Sequence, residues 1–145
     1  MSRFYVIDEA NTALPEVERI LTALRDQREE LIGLRDRVVS LSPPDGETPT
    51  TGAAEQIRLL RLGMQGLIDQ MQAGVARLVD MDITLRDIST GLIDFPALVS
   101  GRPIWLCWRL GETDVAHWHP HDEGYESRRP LSELPTGRSS GSPAA

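Results

Sequence analysis

The sequence predicts an α+β fold: a long antiparallel helical hairpin followed by a small antiparallel β-meander. Three observations carry that prediction. Apolar residues recur every three or four positions from Val17 to Leu41 and again from Ile57 to Ile88. A Pro- and Gly-containing break separates the two stretches, and after Gly91 the pattern changes to short β-prone runs.

A β-prone piece, Phe4 to Ile7, opens the chain, and Asp8 is placed to cap a helix with Glu9 near its positive end. Pro15 either kinks this early helix or separates it from the next. The first helix is expected over about residues 8–41, with Val17, Ile20, Leu24, Leu31, Leu34, Val38 and Leu41 on its apolar face and Gln27 in the polar gap. Ser42-Pro43-Pro44-Asp45-Gly46 stops it, and residues 42–53 read as a mobile loop. The second helix, about 54–90, carries Ile57, Leu60, Met64, Leu67, Met71, Leu78, Met81, Leu85 and Ile88, with Gly74 where the stripe skips. Antiparallel pairing with Leu41 level with Ile57 sets Leu24 against Gly74 and Gln27 against Met71. A second apolar row, Leu59, Leu62, Ile68, Val75 and Val79, cannot be buried by a two-helix hairpin alone. Either the sheet or another subunit must cover it, so a homo-oligomer is expected.

The meander is expected over about residues 92–119, from Leu92–Phe95, Pro103–Leu110 and Val115–Trp118, with turns at Ser100-Gly101 and Gly111-Glu112. Pro96 puts the end of the first run at a sheet edge. Residues 1–131 read as one domain, and the Pro-, Gly-, Ser- and Ala-containing stretch 132–145 as a disordered tail.

The 145 residues suffice for one modest core. A formal charge of −7 repels phosphate backbones and argues against nucleic acid as a partner. No apolar run approaches the roughly 20 residues that span a bilayer, so no membrane partner is expected. The one cysteine, Cys107, excludes an internal disulfide and suggests a reducing, cytoplasmic setting.

The unusual chemistry lies between Asp94 and Arg129. All three histidines alternate, at His117, His119 and His121, and alternate residues of a strand share a face. With Cys107 on the preceding strand they form a candidate ligand set for zinc or another divalent metal. A two-residue turn would set Cys107 opposite Ala116 and a three-residue turn opposite His117; only the second brings thiol and imidazole together. The competing reading makes Cys107 a small buried hydrophobe and His119 a hydrogen-bonding residue beside Trp118. A second constellation is Asp94, Arg109, Glu112, His119 and Arg128. It reads as an ion-pair network, or as a pocket in which Arg109 and Arg128 clamp a small anionic ligand. A cysteine nucleophile is disfavoured, because a thiol within an apolar strand holds its proton. Trp105 and Trp108 must point to opposite faces, so the three tryptophans cannot form one patch.

The run Gly91-Leu92-Ile93-Asp94-Phe95-Pro96-Ala97, the run Leu106-Cys107-Trp108-Arg109-Leu110-Gly111-Glu112, and Trp118-His119, Gly124-Tyr125 and Arg128 occur in that order. Together with Asp8-Glu9-Ala10-Asn11 and Leu14-Pro15, they resemble domain-of-unknown-function family 2203. The resemblance implies the same hairpin-and-meander fold and no activity. The leading functional expectation is a non-enzymatic, self-associating protein that binds a protein or ligand. The alternatives are a metal-binding protein or metal-dependent enzyme, and an anion-binding domain.

Overall fold

The computed structural model describes residues 3–135. Helix α1 (Ile7–Leu41) and helix α2 (Thr51–Asp80) form the hairpin. Strands β1 (Thr84–Asp87), β2 (Leu92–Val99), β3 (Arg102–Arg109), β4 (His117–Pro120) and β5 (Arg129–Pro130) follow as one antiparallel sheet in chain order. Residues 136–145 of the expected tail lie outside the described residues, while Leu131–Glu133 forms a 3-10 turn. No described helix is long and apolar enough to cross a membrane.

Helix α1 starts one residue earlier than expected, and Glu9 rather than Asp8 caps it: the Val6 N–H donates to the Glu9 carboxylate at 3.1 Å. Pro15 neither ends nor divides this helix. Ala10 and Leu14 on one side of it, and Val17 and Leu21 on the other, are all buried in the same core, and this packing outweighs the lost hydrogen bond. Thr50 caps α2, accepting from the Ala53 N–H at 3.2 Å, so the interhelix loop is shorter than 42–53.

The largest departure from the sequence reading is the end of α2. Met81, Leu85 and Ile88 continue the three-four spacing, yet the helix stops at Asp80 and residues 84–87 form strand β1. Asp82 takes a left-handed conformation with φ of 60°. Its N–H donates to the Val79 carbonyl at 2.9 Å, and the Ile83 N–H reaches back to the Leu78 carbonyl at 3.0 Å. This paired closure satisfies the last carbonyls and turns the chain into the sheet.

The hairpin register sets Leu24 against Gly74, as the apolar pattern requires, and Gln27 Nε2 donates to Gln70 Oε1 at 3.3 Å. A Cβ on Gly74 would lie 3.1 Å from Leu24 Cδ2, and Leu24 is fully buried. Gly74→Leu is therefore expected to force the helices apart and cost about 1–3 kcal/mol, read as a lower urea midpoint at unchanged slope.

One face of the sheet packs on the helices through Ile93, Phe95, Leu106, Trp108 and Trp118, which join Val17, Leu21, Leu24 and Leu78 in the core. Pro96 lies within β2, and the pairing with β1 ends at Asp94, so its missing N–H falls at a locally open edge. The Tyr5 N–H donates to the Pro96 carbonyl there, at 2.7 Å. The sheet does not cover the second apolar row of α2. Leu59, Leu62 and Val79 stay 54%, 58% and 63% exposed, while Val75 packs on the edge of the core. At about 100° per residue, Leu62 and Ile68 point roughly 120° apart, so the row divides into two faces.

Candidate functional site

The register fixes which side chains share the sheet face turned away from the helices. Asp94 pairs with Cys107, Cys107 with His117, and Trp105 with His119. Paired residues project to the same side. The seven-residue connection 110–116 therefore gives the thiol-to-imidazole register, anchored where Asn11 Oδ1 accepts from the Val115 N–H at 2.8 Å. After β4 the chain folds back over this polar face through the 3-10 turn Tyr125–Ser127 and returns as β5. Three contacts pin the cover. Trp105 Nε1 donates to the His121 carbonyl at 3.1 Å, the Leu131 N–H donates to the Ala116 carbonyl at 3.0 Å, and Arg128 grips Glu112.

Under this cover Asp94, Cys107 and His119 converge, each no more than 1% exposed, with one donor atom apiece within 4.8 Å of the others. His119 Nδ1 lies 3.0 Å from the Pro120 carbonyl, which only accepts, so a proton on this nitrogen would donate there. Its Nε2 lies 2.9 Å from Asp94 Oδ2, which also accepts from Arg86 Nε at 2.8 Å. If His119 carried a proton on Nδ1 alone, two lone pairs would face each other across that short gap. A proton on Nε2 would donate to Asp94 Oδ2, and with the proton on Nδ1 alone the Nε2 lone pair is free to ligate a cation. The other carboxylate oxygen, Asp94 Oδ1, is buried with no hydrogen-bond partner among the described residues. Burial, and then the negative charge of Asp94, push the Cys107 thiol up to about 12. Both histidine nitrogens are committed elsewhere, so neither serves the thiol as a base, and a cysteine nucleophile gains no support.

Of the four metal ligands expected from the sequence, Cys107 and His119 are brought together and His117 and His121 are not. His117 shares the face of Cys107, but its buried Nδ1 has no partner among the described residues and it lies outside the cluster. His121 follows the last residue of β4, is exposed, and stacks on the Trp105 ring at 5.0 Å between centroids. Asp94, expected in the polar constellation, takes the third place. Arg86 escaped the sequence reading, which put it in a helix; it packs its guanidinium over Trp105 at 4.9 Å.

Arg109, Glu112 and Arg128 form a separate group. Arg128 closes both prongs of its fork on the Glu112 carboxylate, at 2.8 and 2.9 Å, and its Nη1 donates to the Tyr125 hydroxyl at 3.2 Å. The Arg109 N–H donates to Glu112 at 2.9 Å, while its guanidinium lies outside, 5.9 Å from the Tyr125 ring centroid. The two arginines thus do not converge as a clamp. Burial raises the Glu112 pKa, but the Arg128 and Arg109 hydrogen bonds outweigh it and bring the group below the ordinary carboxylate range. Stabilisation from this pair is therefore present above that range and is lost as pH falls through the depressed pKa. Glu112→Ala leaves Arg128 half-buried and unpaired, at an expected cost of about 2 kcal/mol or more. Limited proteolysis should then cut between residues 120 and 131, where the wild-type protein resists.

A cavity of about 300 Å³ opens onto Asp94, walled by Arg86, Leu92 and the turn from His121 to Tyr125.

No curated protein and no solved structure matches the chain. A family model described as "Uncharacterized conserved protein (DUF2203)" matches residues 3–131, and the chain belongs to that family.

Proposed function

We propose that the protein binds one divalent transition-metal ion, zinc or ferrous iron in type, through Asp94, Cys107 and His119. The convergence of three buried donor atoms, one each from Asp94, Cys107 and His119, within 4.8 Å of one another is the observation that carries this reading. Three features support it. A thiolate, an imidazole and a carboxylate together suit zinc-like ions. The Pro120 carbonyl holds the imidazole so that Nε2 faces inward, the usual orienting contact of a ligating histidine. Asp94 Oδ1 is buried without a hydrogen-bond partner among the described residues. A tetrahedral ion needs donor atoms ~3.5 Å apart, within side-chain adjustment of the present spacing. The rival is a proton in the gap, making an Arg86–Asp94–His119 charge network that only holds the sheet face together.

Elemental analysis of untagged protein, purified without chelator, tests the reading. Close to one zinc or iron per chain is expected, and none in the His119→Ala or Cys107→Ala variants. Metal-free wild-type protein that takes up neither ion on dialysis would reduce the cluster to the proton network.

A second reading is self-association, favoured by the exposure of Leu59, Leu62 and Val79 and by a shallow apolar depression lined by Leu31, Ile68, Met71 and Val75. Light scattering is expected to give a mass above 16.1 kDa that falls on dilution. A stable monomer at high concentration would rule it out.

A further inference from the structure

We infer that the loaded metal keeps one coordination position open, and that a small monocarboxylate binds there between the ion and Arg86. The inference rests on the metal reading above and goes further by naming what the site receives.

Only three donors converge among the described residues, one fewer than a closed tetrahedral site requires. His117, the nearest further candidate by register, lies outside the cluster. Of the three donors, Asp94 lines the cavity, so an ion it holds sits at the cavity wall with a free side towards that space. About 300 Å³ is at the small end of ligand sites, which favours a molecule of a few heavy atoms.

Charge selects the class. A divalent ion with the Asp94 carboxylate and the Cys107 thiolate is neutral, so Asp94 no longer offsets the positive charge of Arg86, which lines the cavity. Arg86 already uses Nε on Asp94, and its terminal nitrogens make no hydrogen bond among the described residues. With the guanidinium carbon 4.9 Å from the Trp105 ring centroid, they present a fork suited to a carboxylate. Glu123 is matched by Arg129 at 3.7 Å, but Asp122, which also lines the cavity, has no ion-pair partner among the described residues. That acid penalises a doubly charged phosphate more than a singly charged carboxylate. Leu92 supplies an apolar wall for a short alkyl group.

The test uses the full chain loaded with cobalt(II), with acetate and inorganic phosphate as probes. A thiolate-to-cobalt absorption band is expected in the near ultraviolet, and millimolar acetate should shift the visible bands while equal phosphate leaves them unchanged. Arg86→Gln should weaken acetate at least about tenfold while keeping the thiolate band, and Arg86→Lys should fall between. A thiolate band with visible bands that ignore acetate, or that answer phosphate more strongly, would overturn the inference and leave the metal reading standing. Acetate affinity unchanged in both variants would remove Arg86 from the site. Absence of the thiolate band would overturn the metal reading itself.

Discussion

Replacing Asp94 by alanine is expected to lower the stability of the metal-free protein by about 3–5 kcal/mol, the cost of removing one partner from a buried charge pair. Asp94 is 1% exposed and accepts from both His119 and Arg86. Its removal leaves the imidazole buried with a nitrogen unpaired, and opens space beside Cys107. The melting temperature in chelator should fall by on the order of 10 °C. The half-exposed Arg86 can recover water, so Arg86→Gln should cost only about 1 kcal/mol. Equal, small effects from the two variants would mean that Asp94 is not the centre of the network. Metal affinity of the Asp94 variant should fall more than the roughly 10–100-fold typical of losing an outer-shell contact.

Metal uptake is expected to release about one proton per ion near neutral pH from Cys107, whose thiol, pushed up to about 12, is fully protonated there. The apparent affinity should therefore rise about tenfold per pH unit. Calorimetry in two buffers of different ionisation enthalpy counts the protons. Release of none would exclude the thiol as a ligand. The same thiol sets an alkaline limit without metal. Its pKa is raised on folding, so its contribution is intact below the ordinary thiol range and is lost as pH rises towards the folded value. A Cys107→Ala variant should lack that alkaline loss.

The hairpin was legible because two long stripes and a breaker leave little choice, and even the Leu24–Gly74 contact follows from aligning them. The end of α2 was not legible. Leu85, in β1, and Ile88, in the turn after it, fall at helical spacing by coincidence, and the stop depends on an aspartate in a conformation usually given to glycine. That one error hid Arg86, since a residue assigned to the second helix cannot be foreseen beside Asp94. The alternating histidines drew attention to the right strand, but β4 ends at Pro120 and His121 turns out to stack on Trp105. Asp94 and Cys107 face each other only through the β2–β3 register, which Ser100-Gly101 already suggests as a turn. Choosing His119 over His117 depends on depth under the covering segment, and no local spacing encodes that.

Anomalous diffraction at the zinc edge from crystals of zinc-loaded protein tests the central claim most directly. The account predicts one strong peak about 2.0–2.3 Å from an Asp94 oxygen, Cys107 Sγ and His119 Nε2. A peak between His117 and His121, or none despite stoichiometric zinc in the drop, would contradict it.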